Sequence, residues 1–238
     1  MKKVIVIGAS SGIGKEVARL YANSGAKVAI TGRRTALLEE FANELSGNLL
    51  FETFDVREMQ NIAPIQKLIE HLGGLDLFIV SAGIGTVSQT LDWTIDKNTI
   101  DTNINGFTQM VNWVYNFFQN QGHGQIANIS SIASIRGNSF APAYSASKAF
   151  QSVYFEGLHM KSKRLKTGVI ITDVQPGFVQ TKMAQADKRF WVATVEKAGR
   201  QIVAGIEAKK FRVFVTKRWG IIAWLMKRVP GFIYHKIG

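Results

Sequence analysis

Cysteine is absent from the 238 residues of the chain. Its absence excludes disulfide bonds, thiolate metal sites and a cysteine nucleophile, and it fits a cytoplasmic protein. Long apolar runs are also missing, since no stretch approaches the roughly 18 residues of a membrane-spanning helix. Only four apolar residues stand between Lys3 and Gly8, so the chain is predicted to open on a strand and not on a signal peptide. The four histidines share no ligand spacing, and no metal site is predicted.

Acidic residues are scarce relative to basic ones. The chain has 17 Asp and Glu against 29 Lys and Arg, which gives a formal net charge of +12. The imbalance is strongest at the C-terminal end, where ten basic residues from Lys197 onward stand against Glu207 alone. Such an end favours an anionic partner: phospholipid, nucleic acid or an acidic substrate. A solvated basic surface is the alternative interpretation.

Short apolar runs alternate with helical patterns along the chain. Strands are predicted at Val4–Ile7, Lys27–Thr31, Leu49–Phe54, Leu75–Ser81, Gln125–Ser130, Val169–Val174 and Arg212–Val215. Helices are predicted at Gly12–Ser24, Thr35–Leu45 (closed by Gly47), Ile62–Leu72, Asp96–Gln119, Ala143–Lys166 and Val195–Ala208. This alternation is typical of an α/β fold in which helices cover both faces of a parallel sheet. We therefore expect a single-domain, Rossmann-type, doubly wound parallel sheet of about seven strands.

The first predicted strand runs directly into a glycine-rich turn, Gly8-Ala9-Ser10-Ser11-Gly12-Ile13-Gly14. The glycines let the backbone turn tightly and approach a pyrophosphate, and the N-terminus of the following helix attracts its charge. We therefore expect this turn, including Ser10, Ser11 and Ile13, to bind a dinucleotide. A tight turn without a ligand is the alternative.

Tyr144 and Lys148 stand four residues apart, on one face of a predicted helix. The ammonium group of Lys148 can then lie beneath the phenol and lower the tyrosine pKa from about 10. Such a tyrosine exchanges a proton with an alcohol or carbonyl oxygen near neutral pH. Beside a bound nicotinamide, this proton transfer indicates redox chemistry between alcohols and carbonyls.

The ends of the second and third strands bear on the choice of cofactor. A site specific for NAD usually has a carboxylate after the second strand, whereas Arg33 and Arg34 stand there. Guanidinium groups pair with phosphate, so we expect NADP(H) to be preferred over NAD(H), with Arg33 on the 2′-phosphate and Arg34 assisting. The alternative is a solvated arginine pair. Asp55, followed by Val56, either accepts a hydrogen bond from the adenine amine or caps a helix.

These features occur together in one known family. The chain resembles the short-chain dehydrogenase/reductase family from Lys2 to about Val215. The matching motifs are the glycine turn, Ala82-Gly83, Asn103, Ser131, Tyr144 with Lys148, and Pro176-Gly177 with Thr181. The family pattern is not complete, because Ile7 stands at a usual threonine and Val80-Ser81 at a usual asparagine pair.

The resemblance implies a catalytic tetrad of Asn103, Ser131, Tyr144 and Lys148. Ser131 would polarise the substrate oxygen, and Tyr144 would act as general acid or base. Lys148 would also grip the nicotinamide ribose, and Asn103 would hold a water that relays protons. The resemblance further implies that Tyr144, Lys148, Ala82, Gly83, Pro176, Gly177, Val179 and Thr181 contact the cofactor.

The substrate side carries a weaker signal. An apolar pocket, and hence an apolar carbonyl or alcohol substrate, is suggested by Ile132, Ala133, Ile135, Phe140, Phe178, Phe190 and Trp191. The segment Met183–Val192 stands where the family has its substrate lid. The long helices carry apolar side chains that suggest an isologous homodimer or homotetramer, among them Val111, Val114, Phe117, Phe118, Val153 and Phe155.

The chain divides into a catalytic domain, 1–216, and a C-terminal tail, 217–238. In the tail, two basic pairs bracket a short apolar stretch with two tryptophans, which predicts a helix over Arg218–Val229. Either this helix lies on a membrane surface, or it packs on the domain or a second subunit. We expect a cytoplasmic NADP(H)-dependent oxidoreductase, peripheral at the membrane if the tail binds lipid. The alternatives are a catalytically silent dinucleotide-binding regulator and a nucleic-acid binder, and no nucleic-acid motif supports the latter.

Overall fold

A computed structural model describes residues 1–45, 49–58, 62–88, 90–181 and 190–236. Its strands are β1 (Lys3–Ile7), β2 (Lys27–Gly32), β3 (Leu49–Thr53), β4 (Leu77–Val80), β5 (Gly124–Ile129), β6 (Val169–Pro176) and β7 (Arg212–Val215). They form one sheet in the order β3-β2-β1-β4-β5-β6-β7, and every pairing is parallel. The order reverses between β1 and β4, which places the switch point there. The predicted doubly wound fold of seven strands is confirmed.

The described helices are α1 (Gly12–Asn23), α2 (Thr35–Glu44), α3 (Ala63–Leu72), α4 (Trp93–Ile100), α5 (Phe107–Gln121), α6 (Pro142–Leu165), α7 (Val195–Glu207), α8 (Arg218–Arg228) and α9 (Gly231–Tyr234). None of the helices within these described ranges is long and apolar enough to cross a membrane. The predicted tail helix is present as α8. Gly47 and most of the predicted lid, Met183–Val192, lie outside the described residues.

Two apolar layers, one on each face of the sheet, form the core. Alternate residues of β1 enter opposite layers: Val4 and Val6 pack with α1, α2 and α7, whereas Ile5 and Ile7 pack with α3, α5 and α6. This follows from the period of two in a strand. Because both faces are covered, β4 and the Val4–Ile7 part of β1 are apolar without interruption.

The long helix predicted at Asp96–Gln119 differs from the structure. Helix α4 begins earlier, at Trp93, because the side chain of Asp92 caps it by accepting a hydrogen bond from Thr94 N (2.7 Å). A wide π-helical turn, Asp101–Gly106, then separates α4 from α5. At its end a Cβ on Gly106 would lie 2.2 Å from the carbonyl oxygen of Val56. A single widened turn leaves the apolar periodicity of the sequence almost unchanged, so the sequence predicted one continuous helix. Such π-helical turns often occur at functional sites.

The apolar residues offered for a subunit interface are mostly core residues. Val111, Val114, Phe118 and Phe155 are fully buried within this one chain. Val153 is 69% exposed, and it shares an outer stripe of α6 with Phe150 and Met160. Phe117 is half-buried. Val111, Val114, Phe118 and Phe155 are therefore not available for a subunit interface, and assembly through the exposed stripe of α6 stays a prediction.

Candidate active site

The glycine-rich turn after β1 leaves no room for side chains at two positions. Gly8 has a φ of +83°, and a Cβ there would lie 2.5 Å from the amide nitrogen of Ala82. A Cβ on Gly14 would lie 2.3 Å from the carbonyl oxygen of Gly8. The turn therefore lies directly against the end of β4, at the switch point where ligands bind in such sheets.

The N-terminus of α1 meets this turn beside a guanidinium group. Ser11 is the N-cap residue, and its side chain makes no capping bond to any residue that the structure describes. Arg34 donates hydrogen bonds to Ser10 Oγ (2.7 Å) and Ser11 Oγ (2.9 Å). Ile13 anchors the helix start on the core. An uncapped helix N-terminus and an arginine together fit a nucleotide phosphate.

Arg33 and Asp55 lie together at the ends of β2 and β3. Arg33 Nη1 is 3.6 Å from Asp55 Oδ2. Asp55 also accepts hydrogen bonds from Arg57 N (3.0 Å) and Arg57 Nη2 (2.6 Å), so it caps the short 3-10 turn Val56–Glu58. Burial opposes its ionisation, but the hydrogen bonds of Arg57 and the charges of Arg57 and Arg33 hold the pKa of Asp55 below its usual value. Of the two interpretations of Asp55, the structure shows the cap of a helical turn. The hydrogen bond from the adenine amine stays a prediction.

Asn103 occupies the π-helical turn and is fully buried. Its Oδ1 accepts from Ile84 N (2.9 Å), and its Nδ2 donates to Ile84 O (2.7 Å) and to Ser147 Oγ (2.9 Å). Its carbonyl oxygen accepts from Gln151 Nε2 (2.9 Å). Asn103 therefore ties the loop after β4 to α6, one turn away from Tyr144.

Tyr144 stands on the first turn of α6 with its ring against the loop after β4. A Cβ on Gly85 would lie 2.4 Å from Tyr144 Cδ2, so this glycine makes room for the ring. Ser131 Oγ accepts from Ala133 N (3.1 Å), and the Ser131 side chain also hydrogen-bonds the Tyr144 phenol. Burial raises the pKa of Tyr144 above its usual value, and the Ser131 hydrogen bond acts in the opposite direction.

Lys148 is buried beneath this tyrosine. Its Nζ donates to Ile129 O (3.1 Å) and Gln151 Oε1 (3.0 Å) and lies 5.8 Å from the centre of the Tyr144 ring. Burial lowers the pKa of Lys148 to about 8, while the charge of Asp173 raises it. The expectation that Lys148 lowers the pKa of Tyr144 is not met in the free protein. Desolvation disfavours the charged form of both groups and is the larger effect.

Gln151 is a site residue that the sequence analysis missed. Its side-chain amide joins Lys148 Nζ directly to the carbonyl oxygen of Asn103, and it is fully buried. The family resemblance implied a water between these two residues. The available signal was the spacing of three from Lys148, which puts a polar side chain on the buried face of the same helix.

A second missed group lies in β6, behind Lys148. Asp173 is fully buried and accepts hydrogen bonds from Ser130 Oγ (2.6 Å) and Gln175 Nε2 (2.8 Å). Arg212 Nε, from β7, lies 3.9 Å from the same carboxylate. Asp173 and Gln175 alternate within an apolar strand, and this spacing of two was their sequence signal. The sheet thus holds a buried negative charge near the lysine.

The other residues predicted to contact the cofactor, from the loops after β4 and β6, lie at the same edge of the sheet. A Cβ on Gly83 would lie 3.1 Å from Lys148 Nζ, and a Cβ on Gly12 would lie 3.4 Å from Thr181 Cγ2. Pro176 ends β6, Gly177 N donates to Val215 O (2.6 Å), and buried Val179 pairs with Ala193. The glycine turn, the tyrosine and this loop therefore surround one site.

Known proteins with this sequence pattern identify the family. Residues 2–190 match the short chain dehydrogenase family. The chain belongs to this family. An uncharacterised oxidoreductase of Staphylococcus saprophyticus is 35% identical over 190 residues, which cover 77% of this chain and 80% of that relative. The chain is therefore an oxidoreductase of a family that binds a nicotinamide dinucleotide.

Solved structures agree with the fold. A short chain dehydrogenase from Bacillus anthracis is 25% identical, with a TM-score of 0.82 over 90% of this chain and 94% of its own. A short-chain dehydrogenase from Sphingobium yanoikuyae, in complex with NADPH, is 21% identical and covers 97% of each chain with a TM-score of 0.81. The second likeness shows the fold alone.

Two further features flank the candidate site of this oxidoreductase. A hollow beside Tyr144 is lined by the loops after β4 and β5 and by the first turns of α4 and α6, including Thr86, Leu91, Ile95, Phe140 and Ala143. On the other side, the rings of Phe178, Phe190, Trp191 and Trp219 pack edge to face or tilted, with centres 5.1–6.3 Å apart. Phe178, Phe190 and Trp191 were predicted to line an apolar pocket, whereas Trp219 was predicted to belong to the tail helix.

Proposed function

We propose that the protein is an NADP(H)-dependent oxidoreductase that interconverts a carbonyl and a secondary alcohol, with Tyr144 as the general acid and base. The observation that carries this proposal is the convergence of Ser131, Tyr144, Lys148 and Asn103 beside the glycine turn. Side chains from the loop after β5, from α6 and from the π-helical turn lie together only because the sheet brings these segments to one edge. The nicotinamide supplies or accepts the hydride when bound.

The protein's own side chains bind and polarise the reacting oxygen. Ser131 donates a hydrogen bond to it, which stabilises negative charge as the carbonyl is reduced. Tyr144 donates its phenolic proton to that oxygen during reduction and takes it back during oxidation.

Lys148 and Asn103 position the tyrosine and the cofactor. Lys148 is held from behind by Ile129 O and by Gln151, and Gln151 is in turn bonded to Asn103. With a pKa near 8, Lys148 releases or binds a proton close to neutral pH. We assign it contact with the nicotinamide ribose and resupply of the Tyr144 proton.

The cofactor preference rests on the two arginines. Arg34 spans Ser10 and Ser11 at the uncapped start of α1, and Arg33 lies beside Asp55. Both guanidinium groups thus stand where β2 ends, the position at which a 2′-phosphate distinguishes the two cofactors. The Asp55 carboxylate is engaged by Arg57 and Arg33, so we assign it no contact with a ribose. This donor set supports NADP(H).

The assembly and location follow the same reasoning. We assign a homodimer or homotetramer built on the exposed stripe of α6, with Phe150, Val153 and Met160 facing their copies across a two-fold axis. We assign the tail, 217–238, to the same domain as 1–216, and the burial of Trp219 and Ala223 of α8 supports this assignment. We assign a cytoplasmic protein with peripheral membrane contact through this tail.

A turnover screen tests the proposal. Ketones and secondary alcohols are offered with NADPH or NADH, and nicotinamide absorbance is followed. Tyr144→Phe should bind NADPH as the wild type does and lose turnover by roughly two to four orders of magnitude, the share of general acid–base catalysis. A Phe variant with wild-type turnover would refute the assigned mechanism. Tight NADPH binding without turnover of any substrate would favour a silent regulatory protein.

A further inference from the structure

Helix α8 presents apolar side chains on the face turned to solvent. Trp219 and Ala223 are 4% and 2% exposed and fasten the helix to the domain. On the other side, Ile221, Trp224 and Leu225 are 64%, 53% and 45% exposed. Their spacing of three and four residues puts them on one face. A contiguous exposed apolar face of this kind marks a binding surface.

Helix α9, which follows α8 directly in the chain, adds two more exposed apolar side chains. Phe232 is 71% and Ile233 44% exposed. The segment is held in place because Tyr234 Oη donates to Gly137 O (2.7 Å), and Arg136 Nη2 donates to Val229 O (2.6 Å). The docking face is defined here as Ile221, Trp224, Leu225, Phe232 and Ile233.

The charge around the docking face has one sign. From Ala208 to the C-terminus the sequence has eight Lys and Arg and no Asp or Glu. Lys217 and Arg218 stand at the start of α8, and Lys227 and Arg228 at its end, all exposed. The Arg228 guanidinium lies 4.1 Å from the centre of the Trp224 ring. Exposed tryptophan and leucine between cations match the boundary between lipid headgroups and acyl chains.

Other occupants fit this combination less well. Nucleic acid would pair with the cations but leave the aliphatic side chains in water. A second copy joined by a two-fold axis would bring like charges together at both ends of α8. An anionic bilayer accepts both the apolar side chains and the cations. At 11 residues, α8 is about 16 Å long, so it lies in the plane of the membrane and does not span it.

The tail that carries the docking face contacts two loops of the candidate site. The Trp219 indole covers Gly177, since a Cβ there would lie 2.0 Å from Trp219 Nε1. Arg136 and Gly137, bonded to the tail, belong to the loop that follows Ser131. The tail thus joins the two loops that bear the oxygen-binding and nicotinamide sides of the site. A protein seated on this face holds these two loops close to the lipid surface.

We propose that the docking face binds an anionic membrane surface, and that the substrate is a lipophilic carbonyl or alcohol that enters from the bilayer. The assignment of the substrate class rests on the proposed function, whereas membrane binding does not. Phosphatidylcholine vesicles with and without about 30% phosphatidylserine serve as the membrane probe, because anionic lipid attracts clustered lysine and arginine.

Sedimentation of the full-length protein with these vesicles tests the surface. Wild type should bind the anionic vesicles at least tenfold more strongly than the neutral ones, and about 0.5 M NaCl should remove most of the difference. Trp224→Ala with Leu225→Ala should lower binding at least tenfold. Trp93→Ala is the matched control, because Trp93 is 70% exposed on α4, and it should bind as wild type.

A charge reversal separates the tail from general basicity. Lys227→Glu with Arg228→Glu should lower binding by at least tenfold, given roughly fivefold for each cation near an anionic surface. Lys163→Glu with Arg164→Glu makes the same change in net charge at the exposed end of α6 and should have little effect. Equal losses in the two reversals would overturn the proposal. So would wild type that stays in the supernatant, or tail variants that bind normally but change the oligomer mass in light scattering.

Turnover tests the substrate class separately. A long-chain methyl ketone carried in the anionic vesicles is compared with a short, water-soluble methyl ketone. The Trp224→Ala/Leu225→Ala protein should lose at least tenfold in kcat/KM on the vesicle-borne ketone and none on the soluble one. Equal losses on both ketones, or none on either, would overturn entry from the bilayer. No wild-type turnover of any carbonyl would refute the proposed function, while the vesicle binding would stand on its own.

Discussion

Burial of Lys148 should make the free protein more stable as the pH rises from 7 to 10. The group is 4% exposed, and burial lowers its pKa from the usual 10.5 to about 8. Below pH 8 the lysine is charged in both the folded and the unfolded state, so folding must bury a charge. Between pH 8 and 10.5 the folded state releases the proton and the unfolded state keeps it, so the free energy of unfolding increases with pH.

The size of the effect follows from the two pKa values. A pKa change of one unit is worth about 1.4 kcal/mol. The lowering of the Lys148 pKa from 10.5 to about 8 therefore reduces the free energy of unfolding by about 3 kcal/mol at pH 7. Most of it is relieved by pH 10. Lys148→Met removes the charge, so the free energy of unfolding of the lysine protein should rise by about 2 to 3 kcal/mol relative to the Met variant over this range.

Urea denaturation at fixed protein concentration and without nucleotide measures this difference. Both proteins should carry Tyr144→Phe, so that titration of the phenol does not contribute. The hydrogen bonds lost to Ile129 and Gln151 shift the difference by a constant and leave its pH dependence intact. A difference that stays flat between pH 7 and 10, or one that changes in favour of the Met variant, would refute the assignment of a depressed lysine pKa.

Two further predictions concern the cofactor and the tyrosine ring. Arg33→Ala with Arg34→Ala should weaken NADPH binding by roughly ten- to hundredfold, as expected for a lost charge-assisted phosphate contact, and should leave NADH binding nearly unchanged. Titration calorimetry measures both dissociation constants, and equal losses for the two cofactors would contradict the prediction. Gly85→Ala should lower kcat at least about tenfold by displacing the Tyr144 ring, since its Cβ would lie 2.4 Å from that ring. Gly137→Ala, where a Cβ meets nothing within 4 Å, is the matched control, and equal effects of the two changes would rule out the steric explanation.

Local pattern was enough to predict the order of elements and the outline of the site. The alternation of apolar runs with helical periods predicted seven strands because each signal lies within a few residues. The turn from Gly8 to Gly14 and the pair Tyr144 and Lys148 were recognisable for the same reason, since their geometry depends on short spacings along one element. The family resemblance then connected them with Ser131.

Only the tertiary structure decided how the site is held and charged. Gln151 reaches Asn103 because a widened turn meets α6 across the sheet edge, and Asp173 approaches Lys148 from a different strand. These contacts join residues far apart in sequence, where periodicity carries no information. The pKa directions of Tyr144 and Lys148 also depend on burial, which is a property of the whole packed core. Sequence alone therefore determined which side chains are candidates for the chemistry, and packing decided their neighbours and the directions of their pKa shifts.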